Sequence, residues 1–314
     1  MNDHPLHSYI GNYRLLHLLG KSDFSAVYLG EQIDDQTQVA IKIVPGATDE
    51  QEVEKFLAQV STFMQLQHPY IMPIRECGLD EQGAFLVMDY AAGGNLRQRH
   101  PRGDRVQLEI ILSYVKQLTA ALQFIHDEGF VHRDIKPHNM LLSANGTVLL
   151  SDFGAAVTSV TLDPSHTYDF EGTVLYTAPE QLHGRPRRRT DQYALAVVIY
   201  EWLSGERLFT GTFHEIAHQH LFITPPSFQE RGIPYPANIE QVIQRALQKD
   251  PDKRFASVKL FAEELEWSYK VAQARGTLPA PSEKPQESPP SIEHSPAQKG
   301  QFRSPLAFRK ESRS

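Results

Sequence analysis

The stretch "VHRDIKPHNMLL", Val131 to Leu142, decides how the rest of the chain is read. It sets His132, Arg133, Asp134, Lys136 and Asn139 between one apolar residue at its start and three at its end. Such a segment is either a polar turn between two buried elements or a loop that does chemistry. A lone Asp or Lys in a loop is ordinarily solvated surface, so the flanking sequence must decide.

Downstream, "LLSDFG" places Asp152, Phe153 and Gly154 shortly after the loop, and "TAPEQ" follows at 177–181. Upstream, "VAIK" places Lys42 on an expected strand, after the loop "LGKSDFSAV". The runs "YRLLHLLG", "SAVYLGEQ", "TQVAIKIV" and "AFLVMDYA" are short, rich in Val, Ile, Phe and Tyr, and bounded by turn residues, as strands are. "DEQEVEKFLAQVSTFMQLQ" breaks that series. Its Val53, Phe56, Leu57, Val60 and Met64 fall at helical spacing, and acidic residues crowd its first turn. The front, 13–92, therefore reads as an antiparallel sheet with one helix inserted. The back, 93–272, reads as mainly helical. "VQLEIILSYVKQLTAALQFIHDEG" ends on Gly129, "YALAVVIYEWLSG" on Gly205 and "IEQVIQRALQKDP" at Pro251, and "SVKLFAEELEWSYKVAQA" closes the fold. A sheet lobe followed by a helical lobe leaves a cleft between them for a ligand.

The 314 residues suffice for a large core. The net charge of −7 argues against a nucleic-acid partner. One cysteine, Cys77, forbids an internal disulfide and suggests a reducing, cytoplasmic setting. The start, "MNDHPLHSYIG", lacks the basic residues and apolar run of a signal peptide. The most apolar run, Tyr193 to Leu203, is too short for the roughly 20 residues of a membrane span, so none is expected in this chain. Residues 1–12 form a lead, and 273–314 an expected disordered tail. From 275 onward the tail holds seven prolines and seven serines and no apolar period, too little to bury.

With these motifs in order, the sequence resembles the protein kinase family over about 13–272, and the loop "DIKPHN" with "GTVLYTAPE" resembles its bacterial, eukaryotic-like serine/threonine members. The resemblance implies an α+β, two-lobed fold and transfer of the γ-phosphoryl group of MgATP, with Mn²⁺ able to replace Mg²⁺, to Ser or Thr hydroxyls of protein substrates. It implies that Asp134 orients the accepting hydroxyl, Lys136 faces the γ-phosphate, Asn139 and Asp152 hold the metal, and Lys42 reaches the α- and β-phosphates. Leu19, Val27, Ala40 and Leu141 would enclose the adenine, Gly20 would cover the phosphates, Met88 would back the pocket, and the backbones of Asp89 and Ala91 would meet the adenine edge. Thr173 would lie near Asp134. Glu180 would pair with Arg254, and Asp191 would hold the catalytic loop from below. Arg133 would bind a phosphate on the following loop, where Ser165 and Thr167 are the expected autophosphorylation sites, a homodimer being the means. Many such bacterial kinases carry a membrane span and a sensor domain after a tail like this one. The chain would then be a soluble member or a fragment of a longer one.

In two places the chain departs from the family. Its phosphate loop G-x-G-x-x-G reads "GKSDFS" here, with Ser22 and Ser25 where glycine gives freedom of φ. The inserted helix ordinarily supplies a glutamate for the strand lysine, and here Gln59 stands nine residues before His68–Pro69. Its amide oxygen accepts a hydrogen bond but forms no ion pair, a loss of about 1 kcal/mol of bias toward the active arrangement. Glu52 and Glu54 are badly placed to substitute for it. The rival readings are an ATP-binding scaffold without turnover and a small-molecule kinase. "DFG", "APE" and Thr173 speak against the latter.

Overall fold

A computed structural model describes residues 9–22, 25–44, 60–81, 83–152 and 174–279. Its first half is a six-stranded antiparallel sheet in the order β1-β2-β3-β4-β6-β5. The strands are β1 (Tyr9–Ile10), β2 (Tyr13–Lys21), β3 (Ala26–Gln32), β4 (Gln38–Val44), β5 (Ile74–Asp80) and β6 (Gly83–Asp89). The β-branched and aromatic residues of β4 and β6 suit a central position. Val39, Ile41, Ile43, Phe85 and Val87 close a small core with Ile10, Tyr13 and Leu15. The four strands expected from sequence are all present. The edge strand β5, "IRECGLD", was not anticipated, because its half-exposed charged residues mask the alternation. Of the inserted helix, 60–64 are helical, with Val60 and Phe63 buried. Gln59, Glu52 and Glu54 lie outside the described residues.

The second half is helical: α1 (Leu96–Arg99), α2 (Leu108–Asp127), α3 (Pro179–Leu182), α4 (Arg188–Ser204), α5 (Phe213–Phe222), α6 (Ala237–Ala246) and α7 (Val258–Ala274). Local signals explain the ends. Gly205 takes φ 76°, the left-handed turn that stops α4. Ser257 accepts the Leu260 N–H at the start of α7. The helix α4 starts before the expected Tyr193, since Thr190 accepts the Arg187 N–H and donates to Glu180. All of α4 from Thr190 to Ser204 is buried at the centre of the lobe. The helix α2 is long and apolar enough to cross a membrane by length and composition. Here Leu108, Ile111, Val115, Leu118, Leu122 and Ile125 sit in the helical core. A hairpin, β7 (Met140–Leu142) with β8 (Val148–Leu150), follows the loop that opened the sequence reading. Two backbone bonds join the sheet side to it: Met72 N–H to Leu150 O at 2.9 Å, and Leu150 N–H to Tyr70 O at 2.9 Å. They hold the loop 131–142 against the exit of the sheet.

Candidate active site

The site is assembled from β4, the loop 131–139 and the residues after β8. On β4, Lys42 pairs in register with Val27 of β3 and Leu86 of β6. Its ammonium meets the Asp152 carboxylate at 2.7 Å, a contact across 110 residues of chain. Asp152 takes φ 65° and Arg133 φ 69°, two left-handed conformations that cost a non-glycine residue energy. Burial by itself raises the Asp152 carboxyl. The charge and hydrogen bond of Lys42, aided by Lys136 and His132, more than reverse this and hold it below the ordinary carboxylate range.

Within the loop, Asn139 is buried, and its Nδ2 donates to both the backbone and the carboxylate of Asp134 at 2.8 Å. The same carboxylate meets the Lys136 ammonium at 2.8 Å. With its amide nitrogen so engaged, Asn139 has its side-chain oxygen without a hydrogen bond among the described residues, left for a hard cation. The Ser151 N–H donates to Asn139 O at 2.9 Å, which ties Asp152, one residue on, to the loop. Two oxygen donors on one linked frame fit a magnesium ion that also takes phosphate and water. Among the described residues no group of three or more His, Cys, Asp or Glu offers a closed cage.

The loop is held from beneath by Asp191 of α4, a fully buried carboxylate. It accepts the His132 N–H at 2.9 Å and the Arg133 N–H at 2.8 Å, and it meets His126 Nε2 at 2.7 Å. Gln181 donates to Arg133 O at 2.9 Å. Arg254 grips Glu180 through two bonds, at 2.7 and 2.8 Å, as the sequence suggested. His126, Ser151 and Gln181 were not anticipated. A histidine on the apolar face of α2 reads as ordinary core until its partner is seen.

The residues expected around a nucleotide fall on β2, β3, β4, β6 and β7 and just after β6. Leu19 and Gly20 are on β2, and Gly20 pairs with Val27. Buried Ala40 pairs with Met88, Ala91 is buried, and Leu141 is on β7. The Asp89 N–H donates to Pro73 O at 3.2 Å, and its side chain pairs with Arg75. At the phosphate loop, the Ser22 N–H donates to Ser25 O at 2.8 Å, and the Ser25 N–H to Ser22 Oγ at 3.1 Å. The serines in place of glycine thus close this turn on itself. The residues Phe153, Gly154, Ser165, Thr167 and Thr173 lie outside the described residues. Arg133 is present, and its buried Nε has no hydrogen-bond partner among them.

Comparison with known proteins agrees with this geometry. The family model described as "Protein kinase domain" matches residues 13–265. The chain is 32% identical over 266 residues to the serine/threonine-protein kinase PrkC of Bacillus subtilis, covering 83% of this chain and 40% of that protein. It is 32% identical over 298 residues to the serine/threonine-protein kinase PknA of Mycobacterium tuberculosis, covering 91% and 66%. With PknA of Corynebacterium glutamicum the figures are 33% over 254 residues, 78% and 53%. The chain thus spans between two fifths and two thirds of the length of these relatives. Sheet lobe, helical lobe and the linked Lys42–Asp152 and Asp134–Asn139 frame have one explanation in common with that match: this chain belongs to the protein kinase family, with a bacterial, eukaryotic-like kinase domain.

Proposed function

We propose that the chain is a serine/threonine protein kinase that moves the γ-phosphoryl group of MgATP to a protein hydroxyl. The observation that carries this reading is the placement of Asp134, with its carboxylate fixed by Asn139 and Lys136. The adenine would lie against Leu19, Val27, Ala40, Met88 and Leu141, its edge at the backbone of Asp89 and Ala91, with Gly20 over the phosphates. Lys42 would hold the α- and β-phosphates, and Asn139 and Asp152 the Mg²⁺ ion, or Mn²⁺ in its place. The bound metal supplies charge neutralisation on the phosphates.

Phosphoryl transfer asks the protein mainly for position and charge. Asp134 would accept a hydrogen bond from the substrate hydroxyl, aim its oxygen and take its proton as the bond to the γ-phosphorus forms and the bond to the bridging oxygen breaks, that oxygen leaving with ADP. Lys136 would stabilise the charge that develops on the equatorial oxygens. Thr173 would help position the accepting residue. Arg133, whose buried Nε has no hydrogen-bond partner among the described residues, would receive a phosphate on Ser165 or Thr167, added by a second copy of the chain. Gln59 in the glutamate's place would weaken the hold on Lys42. The setting in view is cytoplasmic.

The decisive test is transfer of labelled phosphate from MgATP to the protein itself and to a Thr-containing peptide. Wild type is expected to transfer. The variant Asp134→Asn should lose on the order of 10²–10⁴-fold in rate, the usual worth of a positioned proton acceptor. ATP binding with no transfer by wild type would replace this reading with that of a signalling scaffold. Transfer only to an added metabolite would make it a small-molecule kinase.

A further inference from the structure

Beside the catalytic loop lies a cluster of cationic side chains that the chemistry just described does not use. The helix α1 packs on the 3₁₀ turn Pro137–Asn139, which brings Arg97 close to His138. Arg97 is already engaged. Its Nη2 lies 2.6 Å from the Tyr176 hydroxyl and 2.7 Å from Glu201 Oε1. The Tyr176 hydroxyl in turn donates to Glu201 Oε2 at 2.6 Å. Glu201 is buried, its Oε2 taken by the Tyr176 hydroxyl and its Oε1 in ion-pair contact with Arg97 but without a hydrogen bond among the described residues.

Next to this triad stand Arg102 and Arg207. The Gly103 N–H donates to Gly205 O at 3.0 Å, and a Cβ on Gly205 would come within 2.9 Å of Gly103 O. The loop that carries Arg102 therefore rests on the turn that leads to Arg207. Among the described residues neither arginine forms an ion pair. Their charges are felt nearby. Burial first, and the Arg102 charge second, lower the Arg207 guanidinium. Lys136 is spoken for by Asp134. Among the described residues Glu201 pairs with Arg97 and also acts on Arg207, so three arginines share one carboxylate and two positive charges are left over. This stands out in a domain that is otherwise acidic. The chain carries −7, and residues 275–314, with seven Lys/Arg and four Asp/Glu, carry +3, leaving −10 for the rest. Adjacent like charges that keep no counter-ion repel each other, and an anionic ligand relieves that cost.

Resting on the phosphotransfer reading above, we propose that Arg102 and Arg207, backed by Arg97, form a subsite for a carboxylate side chain of the protein substrate. Since the helix that carries Arg97 packs on the turn just after Asp134, the subsite would read an Asp or Glu within a few residues of the accepting Ser or Thr. Glu201, the carboxylate that would otherwise attract a basic substrate residue here, is outnumbered by Arg97, Arg102 and Arg207.

The test is a set of peptides with a single Thr, in which Asp, Ala or Arg is placed in turn at each flanking position. Full-length protein and MgATP are used, and kcat/KM is measured. Asp should raise kcat/KM about fivefold over Ala at one or two positions, and Arg should lower it there, as expected for charge pairs near a surface. The acidic-to-neutral ratio should shrink toward one in Arg102→Glu/Arg207→Glu. It should also shrink in wild type as NaCl rises, a readout that does not depend on the variant folding. Transfer to all peptides without an acidic preference, or a preference untouched by both the variant and salt, would overturn the subsite and leave the kinase reading standing. Transfer to no peptide and no autophosphorylation would overturn the kinase reading, and the subsite with it.

Discussion

At the scale of single residues, the strongest structural demand falls on Asp191. It takes no part in the proposed chemistry, yet it satisfies two backbone N–H groups and an imidazole that water cannot reach. One of those N–H groups belongs to Arg133, whose left-handed backbone turns the chain into Asp134. Removing the carboxylate strands buried donors, each costing about 1–3 kcal/mol. Asp191→Ala should therefore lower stability by roughly 3 kcal/mol or more. Thermal unfolding followed by circular dichroism measures it, and a loss below about 1 kcal/mol would mean that the loop holds its shape by other means. The neighbouring Glu180–Arg254 pair acts in the same way but is anchored on both sides, Arg254 also donating to the carbonyls of Gln248 and Arg189.

At the scale of elements, the hinge between the lobes depends on a close approach. Gly93 donates its N–H to Leu142 O at 2.9 Å, and a Cβ there would lie 2.7 Å from that oxygen and 2.8 Å from Leu142 Cβ. Since backbone and a β-carbon cannot swing aside, Gly93→Ala must push the hinge off β7. The expected cost is about 1–3 kcal/mol of stability together with a raised KM for ATP, because Leu141 of the same strand lines the expected adenine pocket. Unchanged melting and an unchanged KM would show that the hinge has slack. Elements also show what could be read in advance. The strands β2, β3, β4 and β6 and the helices α2, α4, α6 and α7 were visible because each carries a clean apolar period or a glycine stop. The helix α5, "FHEIAHQHLF", was missed because histidines and a glutamine dilute its apolar face, leaving Ile216 as its one buried aliphatic residue. The short helices α1 and α3 are made by caps and tertiary contact. In α1, Asn95 and Gln98 satisfy each other's backbone N–H groups. Likewise the loop residues Asp134, Lys136 and Asn139 announce themselves in one short stretch, whereas Arg97, Tyr176 and Glu201 come from three distant segments that no local pattern connects.

At the scale of the whole molecule, the helical lobe is threaded by a buried polar chain that reaches the segment just before "APE". His220 of α5 is fully buried. Its Nε2 lies 3.1 Å from Leu175 O, and its Nδ1 lies 2.9 Å from the Tyr193 hydroxyl. Neutral imidazole satisfies both, with Nε2–H donating to the carbonyl and Nδ1 accepting from the hydroxyl. Burial first, and the Lys249 ammonium second, push the His220 pKa down to about 3. The sign follows from linkage. Between the unfolded value of about 6.5 and the folded value near 3, the unfolded chain binds a proton that the folded chain refuses. Stability is therefore lost steadily as pH falls through that window, at up to about 1.4 kcal/mol per pH unit from this one group. Lys249, lowered to about 8 by burial and by Arg254, adds nothing on the acid side, since it stays charged there. His220→Gln keeps a donor for Leu175 O and an acceptor for Tyr193 but has no proton to gain. Denaturant unfolding at pH 7 and pH 5 should show wild type losing about 1–2 kcal/mol more than His220→Gln. Equal losses would place the acid sensitivity of the fold elsewhere, in its paired carboxylates. A larger loss in the variant would mean that His220 takes up its proton inside the folded lobe.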